Sequence, residues 1–140
     1  MYKGESSKGV EFFDLLFESD DFNTELGKVT LAAGRLEAEI IRYYIRNGVK
    51  ENISRLTLGQ LISIGKQEKL LERNLAMALE QICMQRNYLT HNIYALFIEL
   101  IDETILERCN LLDTDVITYV EKAWQLKTNL IDLADLMSRK

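Results

Sequence analysis

The stretch DDFNTELGKVTLAAGRLEAEIIRYYIRNG, residues 20–48, decides the fold class. Its apolar residues fall at Phe22, Leu26, Val29, Ala33, Leu36, Ile40 and Tyr43, in steps of four and three. An α-helix turns once every 3.6 residues, so these steps keep the side chains on one face. Asp20, Asp21 or Asn23 is placed to cap the start, and Asn47-Gly48 supplies a C-terminal stop. The stretch reads as one amphipathic helix with a single face turned to a core.

The same periodicity extends outward. Val10–Phe17 reads as a short helix carrying Phe12, Phe13, Leu16 and Phe17. Downstream, Val49–Arg55 is a polar linker, and Thr57 caps a short helix, Leu58–Ile64, that Gly65 ends. From Glu68 to about Glu107 the helical pattern runs through Leu71, Leu75, Ala78, Ile82, Leu89, Ile93, Leu96 and Leu100. As one helix this would be about 60 Å long, against a radius of gyration of about 14 Å for a compact domain of this size. A break is expected where the apolar face lapses, at Gln85-Arg86-Asn87, with Asn87 capping the next helix. The last helix, capped by Asp113 or Asp115, runs through Val116, Val120, Ala123, Trp124, Leu130 and Leu133 to the end. Pro, the commonest interruption of helices, is absent. The expected fold is one all-α domain over residues 1–140. It is an antiparallel bundle of four main helices plus one or two short ones, with its termini near each other.

Composition excludes several classes. A hydrophobic share of 47% and a charged share of 28% belong to a globular chain, not a disordered one. Met1 to Lys8 lacks the apolar core of a signal peptide, and no apolar run approaches the ~20 residues that span a bilayer. Cys83 and Cys109 have no second pair, so they read as reduced thiols in a cytoplasmic protein. Gly4 to Gly9 is not a phosphate-binding loop, because no GK[ST] follows a strand. Glu99, Asp102 and Glu103 suggest a metal, but a di-iron bundle needs Glu-x-x-His pairs on two helices and the chain has one His. They read as a solvated acidic face, and no metal or cofactor is expected.

The net charge of −5 conceals a segregation. Residues 41–91 carry eight Lys/Arg against four Asp/Glu, while both flanks are acidic. A basic centre attracts phosphate locally even in an acidic protein. That centre ends in Arg86-Asn87-Tyr88-Leu89-Thr90-His91, which holds the only His. In one continuous α-helix residues five apart differ by about 140° in direction, so Arg86 and His91 do not share a face, whereas Asn87 and His91 do. If the helix begins at Asn87, Arg86 lies on the incoming loop and can swing toward the imidazole. A helix N-terminus there favours anions. An imidazole gives or takes a proton near neutral pH, and a guanidinium clamps a phosphodiester through two parallel hydrogen bonds.

Arg86-Asn87-x-x-x-His91 resembles the R-x(4–6)-H motif, with a polar residue after the Arg, of HEPN domains. It sits where that family has it, at the start of a long helix in an all-α domain of about this length. The Thr57-Leu58-Gly59-Gln60-Leu61-Ile62 turn and the Leu/Ala-rich helix before the motif look similar as well. The resemblance implies a homodimer in which two motifs face each other across a cleft. It also implies a metal-independent endoribonuclease, often a toxin of a toxin–antitoxin or phage-defence system. His91 would then be the general acid/base, Arg86 the phosphate clamp and Asn87 a residue orienting one of them. The implied partners are RNA, a second copy and an antitoxin of the nucleotidyltransferase type, with neither DNA nor membrane. One subgroup carries a Tyr two residues after the His that such an antitoxin modifies; here Tyr94 stands three residues after it. Two alternatives remain: a non-catalytic helical module binding RNA, a nucleotide or a partner protein in the same groove, and a purely structural adaptor.

Overall fold

The computed structural model describes residues 6–94 and 116–140, with the side chains of 6–10, 91 and 92 left aside. The first helix, α1 (Ser6–Glu18), is followed after one residue by the long α2 (Asp20–Arg46). The pivot is Ser19, extended at φ −79° and ψ 112°. Its hydroxyl accepts the Phe22 N–H at 3.1 Å, so Ser19 caps α2 in place of the Asp or Asn residues that were expected to. Asp20 and Asp21 occupy the first turn, where their charge suits the helix dipole. Asn23 instead donates to the Phe17 carbonyl at 2.7 Å, satisfying an acceptor left over at the end of α1. At the far end Gly48 takes φ 91°, the left-handed turn that the sequence expects after Asn47.

The next helix, α3 (Leu58–Gln67), begins with the expected Thr57 cap, completed into a capping box by Gln60. It does not stop at Gly65. That glycine lies inside the helix because a Cβ there would collide with the Tyr44 hydroxyl and the Leu71 side chain. The following helix, α4 (Arg73–Asn87), starts later than Glu68, with Glu72 as its cap. The intervening turn is closed by Leu70 N–H to Gly65 O at 2.8 Å, with Lys69 at φ 56°. Leu71, expected on the helix, is buried from this turn instead.

The break expected at Gln85-Arg86-Asn87 does not occur. Asn87 is fully helical at φ −60° and ψ −40° and caps nothing. The chain passes from α4 into a π-helical turn, Tyr88–Asn92, and resumes α geometry at Ile93. An extra residue in the turn restores the register of the apolar face without leaving the helix. Tyr88, Leu89 and Ile93 are accordingly buried. The rest of that expected helix, with Glu99, Asp102 and Glu103, lies outside the described residues, as do Cys109 and the expected caps Asp113 and Asp115 of the last helix.

The last helix, α5 (Val116–Ser138), packs most extensively against α2. Their direction is fixed by Lys127 to Glu25 at 3.0 Å, Arg35 to Asp135 at 2.8 Å, and Arg46 Nη2 donating to the Lys140 carbonyl at 2.8 Å. These partners advance together, so α2 and α5 run parallel. On α1, Phe12 packs its ring 5.2 Å from that of Tyr119 near the start of α5, continuing the same sense. The start of α1 and the end of α5 therefore lie at opposite ends of the pair, not side by side as expected. Lys66 to Glu80 at 2.7 Å, with Gly59 beside Cys83, sets α3 antiparallel to α4. The result is the expected all-α bundle, with α3 and α4 antiparallel but the α2–α5 pair parallel where antiparallel packing was expected. Its core is Val29, Leu36, Ile40 and Tyr44 of α2, Leu61 of α3, Leu79 of α4, and Tyr119, Leu126 and Leu130 of α5. No described helix is long and apolar enough to cross a membrane.

Two consequences are measurable. Gly65→Ala must push into Tyr44 and Leu71 and is expected to cost about 1–3 kcal/mol. Gly27→Ala, on an open stretch of α2 with nothing near its Cβ, is expected to stabilise by about 0.5–1 kcal/mol; urea unfolding of both variants checks the contrast.

The Tyr44 phenol donates to the Leu61 carbonyl at 2.7 Å, and burial, then the neighbouring Tyr43, pushes its ionisation well above the ordinary range. The folded chain therefore holds this proton more tightly than the unfolded one. Its contribution is intact below pH ~10 and is lost as pH rises beyond that, by up to about 1.4 kcal/mol per pH unit. Tyr44→Phe should cost about 1 kcal/mol at neutral pH and show a shallower alkaline loss than the parent when unfolding is followed from pH 8 to 12.

Candidate functional site

The last turn of α4 carries Cys83, Arg86 and Asn87 along one wall of an open groove of about 590 Å³. The opposite wall is the end of the linker and the start of α3, with Arg55, Leu56, Thr57 and Gly59, and Glu37 of α2 contributes from the side. The linker is held in place locally. Asn52 Oδ1 accepts from the Ser54 N–H and hydroxyl, Leu56 N–H bonds the Ile53 carbonyl, and Ile53 itself is buried. Arg55 is thereby presented beside α3 and not on a free loop.

Three charged side chains line this groove, and among the described residues none of Glu37, Arg55 and Arg86 makes an ion pair or a side-chain hydrogen bond. Arg86 is half-buried, and its Nε is shielded from solvent with no partner. A buried donor left unsatisfied costs about 1–3 kcal/mol, so such a group marks strain or the place of an absent acceptor. Asn87 reaches only the Cys83 sulfur, at 3.9 Å. Below them the Thr90 hydroxyl donates to the Arg86 carbonyl at 2.8 Å, occupying an acceptor next to the widened turn.

Arg86 therefore sits on the helix and not on an incoming loop, and no helix N-terminus forms at Asn87. The N-terminus that does border the groove is that of α3, at Thr57 and Gly59. His91 lies within the π turn, and its side chain is outside the described ones. The π turn changes the angular arithmetic. It closes i→i+5, winding more slowly than an α-helix, so backbone positions five apart move toward one face. The sequence pattern points to Arg86 and Asn87 but not to Arg55, Glu37 and Thr57. Arg55 belongs to the basic central segment, a faint signal; Glu37 has none, since only the packing of α3 against both α2 and α4 brings it here. Among the described residues no three His, Cys, Asp or Glu side chains gather where a metal ion could sit.

Known protein-family models, curated proteins and solved structures give no match to this chain.

Because the buried Nε of Arg86 has no acceptor, Arg86→Met, of similar length, should not weaken the fold. Chemical denaturation should place the variant level with the parent or up to about 1 kcal/mol more stable, whereas a structural arginine would lose stability on the same change.

Proposed function

We propose that the chain is a metal-independent endoribonuclease of the HEPN type, acting as a homodimer. The supporting observation is the half-buried, unpartnered Arg86 on an open groove, two residues ahead of the π turn that contains His91. In this reading Arg86 binds the non-bridging oxygens of a phosphodiester. A base removes the proton of the 2′-hydroxyl, whose oxygen attacks the adjacent phosphorus. The P–O5′ bond breaks, leaving a 2′,3′-cyclic phosphate and a 5′-hydroxyl. His91 carries one of the two protons and Asn87 orients the His or the Arg.

Two proton transfers need two carriers, and the chain has a single His. A second copy supplies the other, which makes the dimer part of the mechanism. Ile117, Trp124 and Ile131 recur every seven residues on α5 and are 65%, 49% and 37% exposed, so apolar surface is available for assembly. DNA lacks the 2′-hydroxyl and is not a substrate. The basic central segment supports RNA as the ligand. A cytoplasmic toxin held by a nucleotidyltransferase-type antitoxin is the biological setting of this reading.

RNA cleavage by the parent should persist in EDTA and fall by about 10²–10⁴ in His91→Ala and Arg86→Ala, with folding intact. Loss of activity in EDTA with recovery in Mg²⁺ would overturn the mechanism, as would a stable monomer at micromolar concentration.

A further inference from the structure

The groove holds more charge than a scissile phosphate needs. Arg86 accounts for one anion, yet Arg55 stands on the opposite wall and Glu37 at the side, and neither has a partner among the described residues. That carboxylate lines the same groove as two arginines and pairs with neither, so its oxygens are open to a ligand's donors. Its volume of about 590 Å³ lies within the ~300–1,000 Å³ range of small-molecule sites. The start of α3 adds backbone N–H groups and the positive end of a ten-residue helix beside Arg55.

Resting on the ribonuclease reading, we propose that this groove is the subsite for a guanosine nucleotide adjoining the cleaved bond, its phosphate on Arg55 and its base edge on Glu37. A carboxylate offers two acceptor oxygens side by side and no donor. Guanine alone among the four bases presents two adjacent donors, N1–H and the N2 amino group, on its Watson–Crick edge. Adenine and cytosine each place an acceptor nitrogen beside their amino group, and uracil flanks one N–H with two carbonyls; each opposes a carboxylate. Reading an unstacked base by this edge is the usual route to sequence preference in single-stranded RNA. Arg55 then contributes affinity independent of the base, and Glu37 contributes the choice of base.

The test is titration of the isotopically labelled full chain with guanosine, adenosine, cytidine and uridine 5′-monophosphates, followed by NMR. Guanosine monophosphate should bind about tenfold or more tightly than the other three, in keeping with the discrimination a good bidentate pair gives. The shifts should centre on Glu37, Arg55 and Gly59. Glu37→Gln should erase the preference while retaining binding, and Arg55→Gln should weaken all four nucleotides together; the NMR spectra report that each variant is folded. Equal binding of the four nucleotides, or shifts elsewhere on the surface, would overturn the subsite. Binding of a mononucleotide needs no cleavage, so this titration is independent of any ribonuclease activity. Selective guanosine binding by a chain that cuts no RNA would defeat the ribonuclease reading and leave the subsite standing. RNA cleavage without base preference in binding would do the reverse.

Discussion

Burial of the apolar stripe of α2 against α5 is the constraint on which the other elements depend. Val29, Leu36, Ile40 and Tyr44 are wholly buried, as are Tyr119, Ala123, Leu130 and Ala134 opposite them. Burying side chains of this kind is worth about 1.5–3 kcal/mol each for the larger ones, far more than the half-exposed pair Arg35–Asp135 contributes on the rim. The ion pairs set direction and register, while the apolar face supplies the stability. Because α2 and α5 run parallel, the chain must return between them. Part of that return is α4, antiparallel to α3, whose end meets the linker and the flank of α2 around one groove.

Tyr44 links this core to the site. Its ring is part of the α2 face, and its hydroxyl reaches the α3 backbone where Gly65 leaves room. The position of α3 along α2 is set there, and with it the position of Thr57 and Arg55 across from Arg86. The π turn acts at the other wall. It holds the end of α4 and the residues after it in one continuous element, so Arg86, Asn87 and the His91 backbone belong to a helix and not to a loop. Such turns occur often at functional sites because the extra residue redirects side chains at the cost of poorer hydrogen bonding.

The sequence made the helices legible wherever one face repeats in steps of three and four, as at Phe22–Tyr43, and where a cap has its own chemistry, as at Thr57. It misled where a residue had two uses. Gly65 looks like a stop but serves a close contact, and Asp20 and Asp21 look like caps while Ser19 does that work. Gln85-Arg86-Asn87 looks like a loop because its polarity interrupts the stripe; a π turn absorbs the same interruption, and its signal is a one-residue slip in register that no single residue type marks. Of the site, Arg86 and Asn87 were legible because they stand beside the sole His. Glu37 and Arg55 were not, since 49 and 31 residues separate them from Arg86 and only the return of the chain gathers them.

The central claim, that this groove handles a phosphodiester through its neighbouring 2′-hydroxyl, is tested most directly by the ends of the RNA it produces. Digestion of an end-labelled oligoribonucleotide should yield 2′,3′-cyclic phosphate and 5′-hydroxyl termini, and a single 2′-deoxy substitution should abolish cleavage at the bond it precedes. Fragments bearing 5′-phosphates, or undiminished cutting at the 2′-deoxy position, would contradict it.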